Sequence, residues 1–185
     1  EPVAAVQVRG LDPGAPVQAS AEDGPFRIWT LELQPLVPPG GAASARLLSL
    51  SLTVLNDRAP AVNPAASIAD ITLRDALGNL LAQAAPGGSN PVTLTLGAAV
   101  ALNGPPVPVH VEVTLRPGAD VTSIGVRVAA EGDVSVRDDV SGLPVSIRAT
   151  GGLPFAPLTS PSVTLFAKAH GYPNPFRAGR EAVLL

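Results

Sequence analysis

The sequence predicts an all-β protein, a sandwich of two sheets. Three observations carry that. Apolar residues alternate with polar ones in almost every hydrophobic segment, the period of a strand with one buried face. The chain holds 21 Pro and 18 Gly in 185 residues, clustered between those segments, which cuts helices short and supplies turns. Aromatics make up only 3% of a chain that is 46% hydrophobic, so the core must be aliphatic.

Eleven segments read as strands: 3–9, 26–34, 45–56, 69–75, 79–84, 91–96, 108–115, 123–130, 133–138, 144–149 and 162–167. In "VHVEVTL", Val109, Val111, Val113 and Leu115 share one face, while His110, Glu112 and Thr114 share the other. In "LLSLSLTVL", the same phasing sends Leu48, Leu50, Leu52 and Val54 inward and Ser49, Ser51 and Thr53 outward. In "FRIWTLELQ", Trp29, Leu31 and Leu33 fall on the core face, and Ile28, Thr30 and Glu32 on the opposite one. The links "LVPPGGA", "NDRAPAVNP", "APGGSNP", "NGPP" and "RPGAD" are turn-forming clusters. Segment 68–84 has a helix-like composition, but Gly78-Asn79 interrupts it, so a strand–turn–strand hairpin is expected there.

"ADITLRDALGNLL" (69–81) is echoed by "GDVSVRDDVSGLPV" (132–145), with Asp70, Arg74 and Asp75 matching Asp133, Arg137 and Asp138, and Gly78 matching Gly142 after a one-residue gap. The spacing is too short for two independent Ig domains of roughly a hundred residues each. The expected architecture is one large antiparallel β-sandwich over 1–168, Ig-like or cohesin-style, with pseudo-repeated halves. Two small domains are the alternative.

Charge excludes some functions. The net charge is −3, and eleven Arg with one Lys (Lys168) are scattered singly. A phosphate backbone needs a clustered cationic face, so no nucleic acid is expected as a partner. No apolar run reaches the roughly 18 residues that span a bilayer, so no membrane span is expected. Cys is absent, which rules out disulfides and thiolate chemistry. Met is absent too, so a chain processed, excised from something longer or seen only in part is expected.

Residues for chemistry are sparse. His110 sits on the polar phase of a strand and His170 precedes a Pro-rich stretch, neither with a suggestive partner nearby. No catalytic residue and no cofactor is expected. Asp133, Asp138 and Asp139 are the weak candidates for calcium, which takes six to eight oxygens. The competing expectation is that Asp75 and Asp138-Asp139 start hairpin turns by accepting from their own backbone, with Arg74 and Arg137 beside them as surface pairs. Trp29 is expected in the core and not on a ligand platform.

At 172–176 stands "YPNPF", within "GYPNPFRAGREAVLL". Tyr172, Pro173, Asn174, Pro175 and Phe176 resemble the opening of the Ig-like domain related to the flagellar hook-capping protein. That domain often ends large secreted bacterial proteins. Arg177 to Gly179 depart from the usual stretch that follows. The resemblance covers about fifteen residues. It implies that 1–168 precedes such a domain in a secreted or cell-surface bacterial protein, and it gives the preceding module no activity. On this reading 169–179 is a Pro-rich linker. Residues 180–185 are then a strand, either the start of a following Ig-like domain or one donated to another copy. Val183, Leu184 and Leu185, with the pentapeptide, are the expected assembly residues. The expected role is structural, as a stalk or as an appendage or filament subunit. The alternative is a protein- or carbohydrate-binding adhesion or scaffold module.

Overall fold

The computed structural model describes residues 5–36, 44–150 and 155–166. The pentapeptide, the linker and the strand expected at 180–185, with Val183, Leu184 and Leu185, lie outside the described residues.

The protein is an all-β sandwich of two sheets. Strands are numbered β1 to β14 along the chain. The first sheet runs β12 (Ile147–Ala149), β1 (Ala5–Leu11), β3 (Phe26–Leu36), β9 (Val107–Leu115), β6 (Ile68–Arg74), β7 (Leu80–Ala84). The second is organised on the long β4 (Ala45–Asn56). One edge of β4 pairs with β8 (Val92–Leu102) and the short β5 (Ala59–Pro60). The other pairs with β10 (Ser123–Val128) and β11 (Val134–Asp138). Beyond β10 lie β13 (Leu158–Thr159), β14 (Val163–Leu165) and β2 (Gln18–Ala19). Helix among the described residues is limited to three single 3₁₀ turns, at 21–23, 64–66 and 131–133.

All eleven expected strands form, and 68–84 is the expected hairpin of β6 and β7. The core is aliphatic around Trp29, Ile28, Leu31, Leu52, Ile71, Leu73 and Leu94, all buried. In β9 the alternation holds: Val109, Val111, Val113 and Leu115 are buried, and His110, Glu112 and Thr114 are half-buried on the outer face.

Two details differ from the expected phasing, and both are bulges. Leu48 is only half-buried. It is skipped in the register with both β8 and β11, so Ala45 and Leu47 face inward before it and Leu50, Leu52 and Val54 after it. An extra residue shifts the side-chain phase of a strand by one. Ile28 is likewise skipped between Arg27 and Trp29, and joins the core instead of the outer face.

The sandwich is also not purely antiparallel. β1 lies parallel to β12, and β2 lies parallel to β14. Both parallel pairs join the first twenty residues to the last part of the fold.

The register fixes two ends. At one end lie Ala5, Leu36, Ala45, Leu102, Val107 and the turns after β6 and β11. At the other lie the Asp57-Arg58 hairpin, Leu115, and the segment where Leu165 N donates to Thr122 O. Among the described residues the first, Ala5, therefore lies at one end and the last, Phe166, at the other.

Candidate functional site

The repeated sequence "RD…G" builds an aspartate-led turn twice, at the same end but in different sheets, the second one residue longer: Gly78 N donates to Asp75 O, and Gly142 N to Asp138 O. After β6, the Asp75 carboxylate accepts from the amides of Leu77 (2.9 Å) and Asn79 (2.8 Å) and from Asn79 Nδ2 (2.8 Å). After β11, Asp138 Oδ1 accepts from the amides of Val140 (3.0 Å) and Ser141 (2.6 Å) and from Ser141 Oγ. Each turn closes on a glycine in the left-handed region, Gly78 at φ 85° and Gly142 at φ 69°.

The arginines beside these aspartates reach the carbonyls of the turns. Arg74 Nη1 donates to Gly78 O (2.9 Å) and Arg137 Nη1 to Gly142 O (3.1 Å), so each straps its own turn. Arg74 Nε also reaches across the sheet to Glu112 (2.8 Å). The tips project aliphatic side chains into solvent: Leu77 is 87% exposed and Val140 70%.

The three calcium candidates are occupied separately. Asp133 Oδ2 accepts from the amides of Ala129 and Ala130, folding back the 3₁₀ turn at 131–133. Asp138 is held in its turn. Asp139 pairs with Arg46 (2.5 Å) and accepts from Ser44 Oγ (2.7 Å). Among the described residues no group of three or more His, Asp or Glu side chains is placed to hold a metal ion.

His110 lies on the outer face of the first sheet, in register with Thr30 on one side and Arg74 on the other. Its Nδ1 is 3.0 Å from Thr30 Oγ1. Burial lowers its pKa first and the Arg27 charge adds to this, while Glu112 and Asp75 oppose the shift. A hydroxyl beside an imidazole is the spacing of a nucleophile and its base. Thr30 is only 6% exposed, however, and the pair lies in the plane of a polar face with Arg9–Glu32 and Arg74–Glu112 alongside. The neighbouring carboxylate is thus committed to Arg74.

A concavity lies at the end of the sandwich that holds Leu165 and Phe166. Ala19, Ala21, Leu115, Val121, Leu165 and Phe166 wall a cleft of about 340 Å³. Ser20, Glu22 and Arg116 add polar groups. One wall is the turn at 21–23, closed by Ser20 Oγ accepting from Glu22 N and by Asp23 Oδ2 accepting from Ser20 N. The cleft is small for a ligand pocket and mostly apolar. It begins five positions beyond His110 along β9, about 17 Å away at 3.4 Å per residue. Sequence reading missed it, because "RPGAD" registers only as a turn and the two-residue β2 gives no periodic signal.

Comparison with protein-family models, curated proteins and solved structures finds no match. No helix among the described residues is long and apolar enough to cross a membrane.

Proposed function

We propose that this chain is a structural module of a secreted or cell-surface bacterial protein, serving in series as a stalk, a spacer or an appendage subunit. The observation that carries this reading is the path of the chain. Ala5 and Phe166 sit at opposite ends of the strands, separated by roughly 30 Å of sheet at 3.4 Å per residue. A module with that path extends a linear array, whereas one whose ends meet hangs from its neighbour as a side branch.

The resemblance of 172–176 supports a junction with an Ig-like domain, since two prolines fix φ and stiffen the link. On this reading the partners are adjacent Ig-like domains or other copies of the chain, and "REAVLL" (180–185) adds as a strand to a neighbour. Negative-stain images of the full chain are expected to show linear particles. Deleting 172–185 is expected to abolish them while leaving the sandwich folded. Identical assembly by the truncated chain would sink the strand-addition reading.

The second reading, a binding module, is favoured by the apolar cleft beside Phe166 and the exposed Leu77 and Val140. Saturable binding of a protein or glycan partner, lost when Phe166 is changed to Asp, would favour it over the spacer.

A further inference from the structure

The two parallel pairs lie where a load would pass. β1 starts at one end of the sandwich and β14 finishes at the other. β1 is held on one side by seven register pairs to β3 and on the other by three parallel pairs to β12. After β1 the chain turns into β2, which runs parallel to β14 in register Thr164–Gln18 and Leu165–Ala19. Thr164 N donates to Val17 O (3.0 Å), and Phe166 N donates to Ala19 O (3.1 Å). The entering and leaving segments are therefore hydrogen-bonded directly to each other.

Ladder hydrogen bonds lie across the strand direction. When a strand is pulled along its axis, all of its cross-strand bonds are loaded at once. When it is pulled across its axis, they open one at a time from the end. Two parallel strands drawn apart, one by its N-terminal side and one by its C-terminal side, are loaded along the axis. A purely antiparallel meander whose ends meet would instead be peeled open.

We infer that the sandwich is built to bear tension between its two ends, with β1 on β3 and β12, and β2 on β14, loaded in shear. The inference rests on the spacer reading for its use, and the two fail separately. Force on a single molecule reports the fold alone, while imaging reports the array.

The test is single-molecule force spectroscopy on the full chain. The chain holds no Cys, so one introduced thiol gives a unique attachment. One handle is fused at the N-terminus, and the second is placed at Phe166→Cys for end-to-end pulling. For crosswise pulling it is placed at Leu77→Cys, on the exposed turn at the same end as Ala5. Crosswise force peels β1 from β3, beginning at Ala5–Leu36. The end-to-end rupture force is expected to be severalfold higher than the crosswise one at the same loading rate. Thr164→Pro, on an exposed position, removes the N–H that binds Val17 O. It is expected to lower the end-to-end force and leave the crosswise force unchanged. An end-to-end force no higher than the crosswise one overturns the inference. A folded Thr164→Pro chain with undiminished end-to-end force overturns the role of β2 on β14. If that variant does not fold, the comparison of directions in the otherwise unsubstituted chain still decides.

Discussion

Gly10 lies directly against Trp29. A Cβ built on Gly10 would fall 2.7 Å from both Cζ2 and Nε1 of the indole. No side chain fits there unless the ring moves, and the ring is packed among Ile28, Leu31 and their neighbours. Gly10→Val is expected to destabilise the fold by about 1–3 kcal/mol through overpacking. Trp29 is the sole Trp, so its fluorescence in urea reads the loss and reports any displacement of the indole into water. An unchanged midpoint would mean that the ring yields freely.

Asn90 stands in for a strand at a gap in the sheet. Its Oδ1 accepts from Val54 N (2.9 Å), and its Nδ2 donates to Val54 O (2.9 Å) and Ala61 O (2.9 Å). It bridges the place on β4 where β5 ends and β8 begins. Asn90→Ala leaves a part-buried amide unpaired and is expected to cost about 2–3 kcal/mol in chemical denaturation.

The β4–β5 hairpin turns through Asp57 at φ 51° and Arg58 at φ 70°. Two left-handed residues make a two-residue turn of the kind that favours Gly in its second position. Arg58→Gly is expected to stabilise the protein by about 0.5–1 kcal/mol, because the relief of backbone strain exceeds the entropy cost of glycine. A lowered melting temperature would contradict this.

Acid is expected to weaken the fold in two stages. The His110 pKa is lowered from 6.5, chiefly by burial, so stability declines as pH falls from 6.5 through the lowered native value. The Asp57 carboxyl is lowered from 3.8, first by the Thr122 hydroxyl and then by the Ser123 amide. That of Asp75 is lowered first by the Asn79 side chain. Their contribution is complete above the unfolded value and is lost as pH falls through the lowered native ones. Asp57→Asn with Asp75→Asn is expected to melt earlier than the parent at neutral pH, with the gap closing in strong acid. A gap independent of pH would show that the charges contribute nothing.

Period-two alternation made the long strands legible, because a half-buried strand writes its orientation into every second residue. It failed at Leu48 and Ile28, where a bulge adds one residue and no local composition marks the slip. It was silent on β2, β5 and β13, since two residues have no period. The parallel pairs were unreadable for another reason: Gln18–Thr164 and Val6–Ile147 are meetings of distant segments, and the local pattern does not name a partner. The aspartate turns were legible because Asp75 and Asp138 act within a few residues of themselves. The reach of Arg74 to Glu112 was not legible, because Glu112 arrives from another strand.

The central place of β4 has a consequence for how quickly the molecule can form. Apart from the short β5, every partner of β4 lies far along the chain: Ala45 meets Leu102 on one edge and Asp138 on the other, and Leu50 meets Val134. Closing such long loops costs chain entropy before any contact repays it, so folding belongs to the slow range, milliseconds to seconds. On a growing chain β4 emerges with nearly all of both edges bare. One edge waits about forty-six residues for β8, Ala45 for Leu102, and the other waits about eighty for β11, Ala45 for Asp138. Through that interval an uncovered, leucine-rich strand is open to pairing with whatever lies nearby.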